Sequence, residues 1–224
     1  MSQQSPGQPD AQLAAALAAR AKMERLLASP SPFADDDGGA DPRVTQALED
    51  TSQPRHLYLD HLWQALVASR LIVPVAAHPR GGDEPHTNDA AQDAATLAVD
   101  LPDGHVAMPV FTSAQAMSAW RTDVRPVPVE PRRAARVACL STDQLWVLDP
   151  GSRDLRLPRP AVVALAGGED WVPSWRNEPV QAEVRTQLEE IGGVTGVAFA
   201  PGQDAELRVF IRIDASHGRS AVAR

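Results

Sequence analysis

The stretch Met108-Pro-Val-Phe-Thr-Ser-Ala-Gln-Ala-Met-Ser-Ala-Trp120 decides the fold. Its apolar opening reads as a buried strand, Val106 to Phe111, that passes straight into a helix. Thr112 is placed to cap that helix, and Gln115 three residues on completes a capping box. Ala116, Met117 and Trp120 then form its inward stripe. Upstream, Thr96 to Leu101 and Val106 to Phe111 flank Pro102-Asp-Gly-His105; Asp-Gly between two apolar runs is a hairpin signal.

Further out the same periodicities continue. Asp41 is set to cap a helix with Pro42 at its first position. A longer helix begins at Ser52 and Pro54 and carries Leu59, Leu62, Trp63 and Leu66 at i, i+3, i+4 and i+7. It feeds Leu71-Ile-Val-Pro-Val-Ala-Ala77, a continuous apolar run expected to be buried on both faces. His78 to Asp93 reads as a polar loop. Downstream, Glu130-Pro131 opens a helix with Ala134, Val137 and Ala138 inward. Leu145 to Leu148 is a short strand closed by an Asp149-Pro-Gly-Ser152 turn, and Ala161 to Ala166 reads as another apolar strand. Asn177 caps a helix bearing Val180, Val184, Leu188 and Ile191, stopped by Gly192-Gly193. Val194 to Ala200 turns at Pro201-Gly202 into Leu207 to Ile213, whose alternation marks a half-buried strand.

At the other end, Met1 to Pro9 is Gln-, Ser- and Pro-rich and reads as disordered. Leu13, Leu17, Met23 and Leu27 fall on one helical face, ended by Ser29-Pro-Ser-Pro32 and followed by the acidic linker Asp35-Asp-Asp-Gly-Gly39. The expected organisation is therefore an N-terminal extension and linker over 1–40, a main domain over 41–168, a helix–strand–strand unit over 169–215 and a flexible tail over 216–224. The fold class is α+β, a mixed sheet with flanking helices plus that small C-terminal unit.

Composition narrows the function. A formal charge of −8 over 224 residues argues against nucleic-acid binding and against adsorption to anionic membranes. One cysteine, Cys139, cannot staple a secreted fold, and Met1 to Asp10 lacks the basic residues of a signal peptide, so a cytoplasmic location is expected. The apolar run at Leu71 is far short of a membrane span. Lys22 is the only lysine, which reads as a GC-rich codon signature.

Several blocks, in this order and spacing, carry a resemblance: Asp37-Gly-Gly-Ala-Asp-Pro42, Arg70-Leu-Ile-Val-Pro-Val-Ala76, Pro109-Val-Phe-Thr-Ser113, Arg125-Pro-Val-Pro-Val-Glu130, Leu148-Asp-Pro-Gly151 and Leu157-Pro-Arg-Pro-Ala161. Together they resemble the SseB family, the enhanced-serine-sensitivity proteins, in the form seen in high-GC actinobacteria. The similarity runs from about Asp37 to Asp214. It implies the α+β fold and a C-terminal helix with two strands, but no accepted enzymatic activity and so no catalytic residue. Family members often continue into another helix, and the last residues here are too short and polar to supply one. The sheet face it would cover is therefore expected to be open, shared with a partner, or covered by the N-terminal helix.

No residue set assembles into a catalytic, cofactor or metal site. His56 and His61 are five apart, a poor spacing for two ligands on one helical face, and His78 and His86 have no cysteine partner. Asp35-Asp-Asp-Gly38 departs from a calcium loop at Gly39 and Gln46. Gly192-Gly-Val-Thr-Gly196 follows a helix, the reverse of a phosphate loop. Cys139 lies near Arg132, Arg133 and Arg136, cations that could activate a thiol, yet it reads as part of an apolar stripe. Trp171 and Trp175 stand out in a Pro-containing connector: either they clamp the C-terminal unit, or they form a partner-binding patch. The expectation is a non-enzymatic module that binds an unknown protein partner or self-associates, without a cofactor. The alternative is an enzyme or small-ligand binder linked to amino-acid or sulfur metabolism.

Overall fold

Proline and small residues set most of the element boundaries. The computed structural model describes residues 18, 32, 33, 35–76, 97–203 and 206–214. The expected N-terminal helix, the polar loop after Ala77 and the C-terminal tail lie outside them. By internal packing the chain divides into one unit of Met1–Glu49 with Trp63–Trp171 and a second of Asp50–Leu62 with Val172–Arg224. The division is discontinuous: the start of one helix groups with the C-terminal segment.

In the first unit, α1 spans Pro42–Glu49 and buries Val44 and Leu48. The Asp41 carboxylate accepts from the Arg43 backbone N–H at 2.8 Å, so it caps the helix as its position predicts. The helix α2, Arg55–Val67, follows and contributes to both units. Strand β1, Leu71–Ala76, pairs antiparallel with β4, Val124–Val129, and Leu71 to Pro74 are buried as the apolar run implies. Pro74 faces Pro126 in this ladder, and proline, lacking an N–H, is confined to such two-stranded or edge settings.

A second sheet has the order β2-β3-β5-β6, from Val99–Asp100, Val106–Val110, Trp146–Leu148 and Leu155–Leu157. The expected hairpin joins β2 and β3, but β2 has only two residues. β3 and β5 run parallel, so this sheet is mixed. Ile72 and Phe111 exchange both backbone hydrogen bonds, at 2.9 and 2.8 Å, and tie β1 to the end of β3.

Two expectations change here. The cap of α3, Ala114–Trp120, is Ser113 and not Thr112: its hydroxyl accepts from the Ala116 N–H at 3.0 Å, leaving Thr112 for another task. Ala161 to Ala166 is not a strand but lies within α5, Arg159–Gly167. Pro160 fixes φ in its first turn, Ala161, Val162 and Leu165 face inward at helical spacing, and Gly168 closes it in the left-handed region at φ 85°. A six-residue apolar run fits either period, and its flanking residues decided the outcome. The preceding helix α4, Pro131–Ser141, buries Pro131, Ala134, Ala135, Val137 and Ala138.

The first unit's core centres on three indoles. Trp63 lies 5.8 Å from Trp146 and 5.7 Å, edge-on, from Trp171. Beside them Phe111, Met117 and Ile72 form a cluster with Trp120 against it.

The second unit holds a single 3₁₀ turn, Ser174–Arg176, then α6, Glu178–Glu189, capped by the Asn177 side chain at the Val180 N–H. β7, Val194–Pro201, and β8, Leu207–Ile213, pair antiparallel, with a bulge between Val194 and Gly196. The helix, hairpin and turn sit where the sequence predicts. Burial does not follow, since no residue of α6, β7 or β8 is buried.

Candidate functional site

Thr112 lies where four segments that are distant in sequence meet. Its N–H and its hydroxyl each donate to one carboxylate oxygen of Asp149, both at 2.9 Å. Its carbonyl accepts from Arg70 Nη1 at 2.7 Å. Arg70 Nε donates to Asp36 Oδ2 at 2.7 Å, and Nη2 donates to the Gly39 carbonyl. The Gly38 carbonyl then accepts from the Ala114 N–H at 2.9 Å, at the start of α3. The Asp-Gly-Gly lead, the arginine before β1, the Phe-Thr-Ser segment and the Asp-Pro-Gly turn thus converge on one polar junction.

Asp149 is the one buried charged residue among those described, 3% exposed, and its φ of 47° places it in the left-handed region. Asp tolerates that conformation better than most residues because its short side chain bonds locally. Its carbonyl also accepts from the Ser152, Arg153 and Asp154 N–H groups, closing the turn. Arg70 neutralises Asp36, and its hydrogen bond holds the Asp36 carboxyl below the usual carboxylate range despite the opposing effect of burial. The hydroxyl of Thr112 is committed to the Asp149 carboxylate, and Arg70 spends its donors on Asp36 and two backbone carbonyls. Such an arrangement fixes geometry.

The residues singled out by sequence go to different places. Trp171 is 8% exposed and belongs to the first unit's indole core. Trp175 is half-buried in the second unit. There the His56 ring meets it edge-on at 4.9 Å, and the Arg176 guanidinium lies 5.6 Å above it while donating to both Asp60 oxygens at 2.8 Å. Cys139 is half-buried, and burial pushes its thiol pKa up. Nearby, Arg132 and Arg136 donate to the carbonyls of Gly167 and Ala166 at the end of α5, not to a thiolate. Among the described residues no group of three or more His, Cys, Asp or Glu side chains could hold a metal. His105 lies 3.4 Å from Asp143 on an exposed hairpin.

The surface feature that sequence reasoning missed is the distribution of exposed apolar side chains. Val172, Val180, Ile191, Phe210, Ile211 and Ile213 are all exposed, and all belong to the second unit; in the first unit only Val163 is comparable. The alternation of β8 was legible, but nothing in the sequence showed that Phe210, Ile211 and Ile213 are left exposed. No helix of the described residues is long and apolar enough to cross a membrane.

A mixed parallel and antiparallel sheet with flanking helices, braced by the Thr112 junction, defines an α+β scaffold. The model for the SseB protein N-terminal domain matches residues 44–164, more than half of the chain, so this protein belongs to the SseB family. No curated protein and no solved structure matches it.

Proposed function

We propose that this chain is a non-enzymatic, cytoplasmic protein-interaction module whose contact surface lies on the second unit. The observation that carries this reading is the concentration of exposed apolar residues there: six of the seven large exposed ones fall in the smaller unit. A concentration of exposed apolar side chains points to an interaction site, because leaving them in water is unfavourable. Trp175, half-buried and held by His56 and Arg176, supplies an aromatic anchor of the kind that dominates interfaces. The first unit, with its spent polar groups and filled indole core, serves as the scaffold.

The test is site-resolved photo-crosslinking in living cells, with a benzophenone side chain at position 210, 191 or 163. A discrete protein adduct is expected from 210 and 191 and not from 163, which lies on the first unit. Equal, diffuse labelling from all three positions overturns the proposal.

A further inference from the structure

Three of the exposed apolar residues of the second unit, Phe210, Ile211 and Ile213, lie on β8, and the two edges of its sheet differ. The β7 edge is blunted: it carries a bulge between Val194 and Gly196 and ends in Pro201, which has no N–H to offer. β8 has none of these devices. Leu207-Arg-Val-Phe-Ile-Arg-Ile213 contains no glycine, proline or lysine, and its sheet has two strands among the described residues.

Among the described residues, the ladder fixes which backbone groups of β8 are left over. The Glu206 carbonyl accepts from Gly202, and the Asp214 N–H donates to Gly193, so both point toward β7. Groups alternate along an antiparallel strand, so Arg208, Phe210 and Arg212 also point inward, and the N–H and C=O of Leu207, Val209, Ile211 and Ile213 point outward. That is a seven-residue template for strand addition.

Side-chain charge selects what can pair there. Arg208, Phe210 and Arg212 share the sheet face opposite the one where α6 sets Arg185 over Phe199. Across the ladder this face carries only Ala200, Ala198 and Gly196. Neither arginine has a carboxylate partner among the described residues. A second copy in full antiparallel register would set Arg208 against Arg212 twice, and like charges directly opposite repel. A strand with acids four residues apart around an aromatic would instead pair both arginines and cover Phe210.

Resting on the interaction-module reading, we infer that the free edge of β8 binds an extended acidic segment of a partner protein by strand addition, with two carboxylates paired to Arg208 and Arg212. The probe is the labelled peptide Thr-Glu-Val-Tyr-Val-Glu-Thr, which reads the same in both directions, titrated onto the full chain and followed by fluorescence anisotropy. Its Lys-for-Glu counterpart is the control. The Glu peptide is expected to bind at least about tenfold tighter at low salt, from two exposed cross-strand charge pairs. In R208E/R212E the preference should invert, a gain of binding that misfolding cannot produce. Ile211→Pro removes an outward N–H without touching the β7 ladder and should abolish binding at unchanged melting temperature.

No discrimination between the peptides, or full binding by Ile211→Pro, overturns the inference. So does a dimer in sedimentation that Ile211→Pro dissolves, which would give the edge to a second copy. Adducts at positions 210 and 191 alongside failed peptide binding would sink strand addition alone and leave the module reading standing.

Discussion

Thr112 and Asp149 stand 37 positions apart and are joined twice, backbone N–H and hydroxyl each donating to one carboxylate oxygen at 2.9 Å. This clasp locks the end of β3 to the end of the parallel strand β5. It also explains why Ser113, and not Thr112, caps the next helix.

Removing the clasp should cost more than an average core polar change. Asp149→Ala leaves a part-buried N–H and hydroxyl without acceptors and puts Ala at φ 47°, for an expected loss of about 2–4 kcal/mol in urea unfolding. Asp149→Asn keeps an acceptor and tolerates the backbone, so it should lose about half as much. Equal losses for the two variants would mean that the carboxylate acts through charge and not through these two bonds.

Asp36 makes stability depend on acid. Its hydrogen bond from Arg70 depresses its folded pKa below the unfolded value near about 3.9. The ionised, paired form therefore stabilises the fold above about pH 4, and that contribution disappears as pH falls through the folded value. Asp36→Asn should be less stable than the parent at pH 6 by about 1–3 kcal/mol, with the gap closing toward pH 3. A gap that stays constant over that range would show that the pair contributes nothing through titration.

Gly38 and Gly104 both adopt positive φ, at 77° and 83°, yet they differ in surroundings. A Cβ at Gly38 would sit 2.9 Å from the Cβ of Ala114, whereas nothing lies within 4 Å of one at Gly104. Gly104→Ala should cost only backbone strain, about 1 kcal/mol, and Gly38→Ala about 3 kcal/mol. Adding Ala114→Gly to Gly38→Ala should recover part of the difference; if it recovers none, the clash is not its source.

Burial pushes the Cys139 thiol up, so it should label slowly at pH 8 in the native chain and much faster in denaturant. Native labelling at the denatured rate would contradict the packed position.

Much of this fold could be read from local chemistry. Asp41-Pro42, the Asp-Gly hairpin, Glu130-Pro131 and Asn177 each sit where capping and turn rules place them, because those signals act within a few residues. Ala161 to Ala166 reads as a strand from sequence because six apolar residues satisfy two periods, and only Pro160 and Gly168 decide for the helix. The Thr112 junction was visible as separate motifs but not as a site. Its meeting of Asp36, Arg70 and Asp149 depends on tertiary placement, which no spacing encodes. Trp171 and Trp175 looked like a pair for the same reason: four residues apart in sequence, they serve different units.

The second unit should open before the first. In the second unit only Leu62 and Pro173 are buried among the described residues, whereas Val110 and Leu148, at the ends of β3 and β5, are fully enclosed. Apolar burial is the main force resisting local opening, so a hairpin with none of its residues buried should exchange its amide hydrogens through cheap local fluctuations. The inward amides of Arg208, Phe210 and Arg212 should exchange at least about a hundredfold faster than those of Val110 and Leu148. Saturating acidic peptide, if it adds to β8, should slow these three and newly protect Val209 and Ile211, whose N–H groups point outward. Equal protection of both sets in the free chain would mean that the C-terminal unit opens only when the whole protein does, and that its exposed apolar face is not a separately labile element.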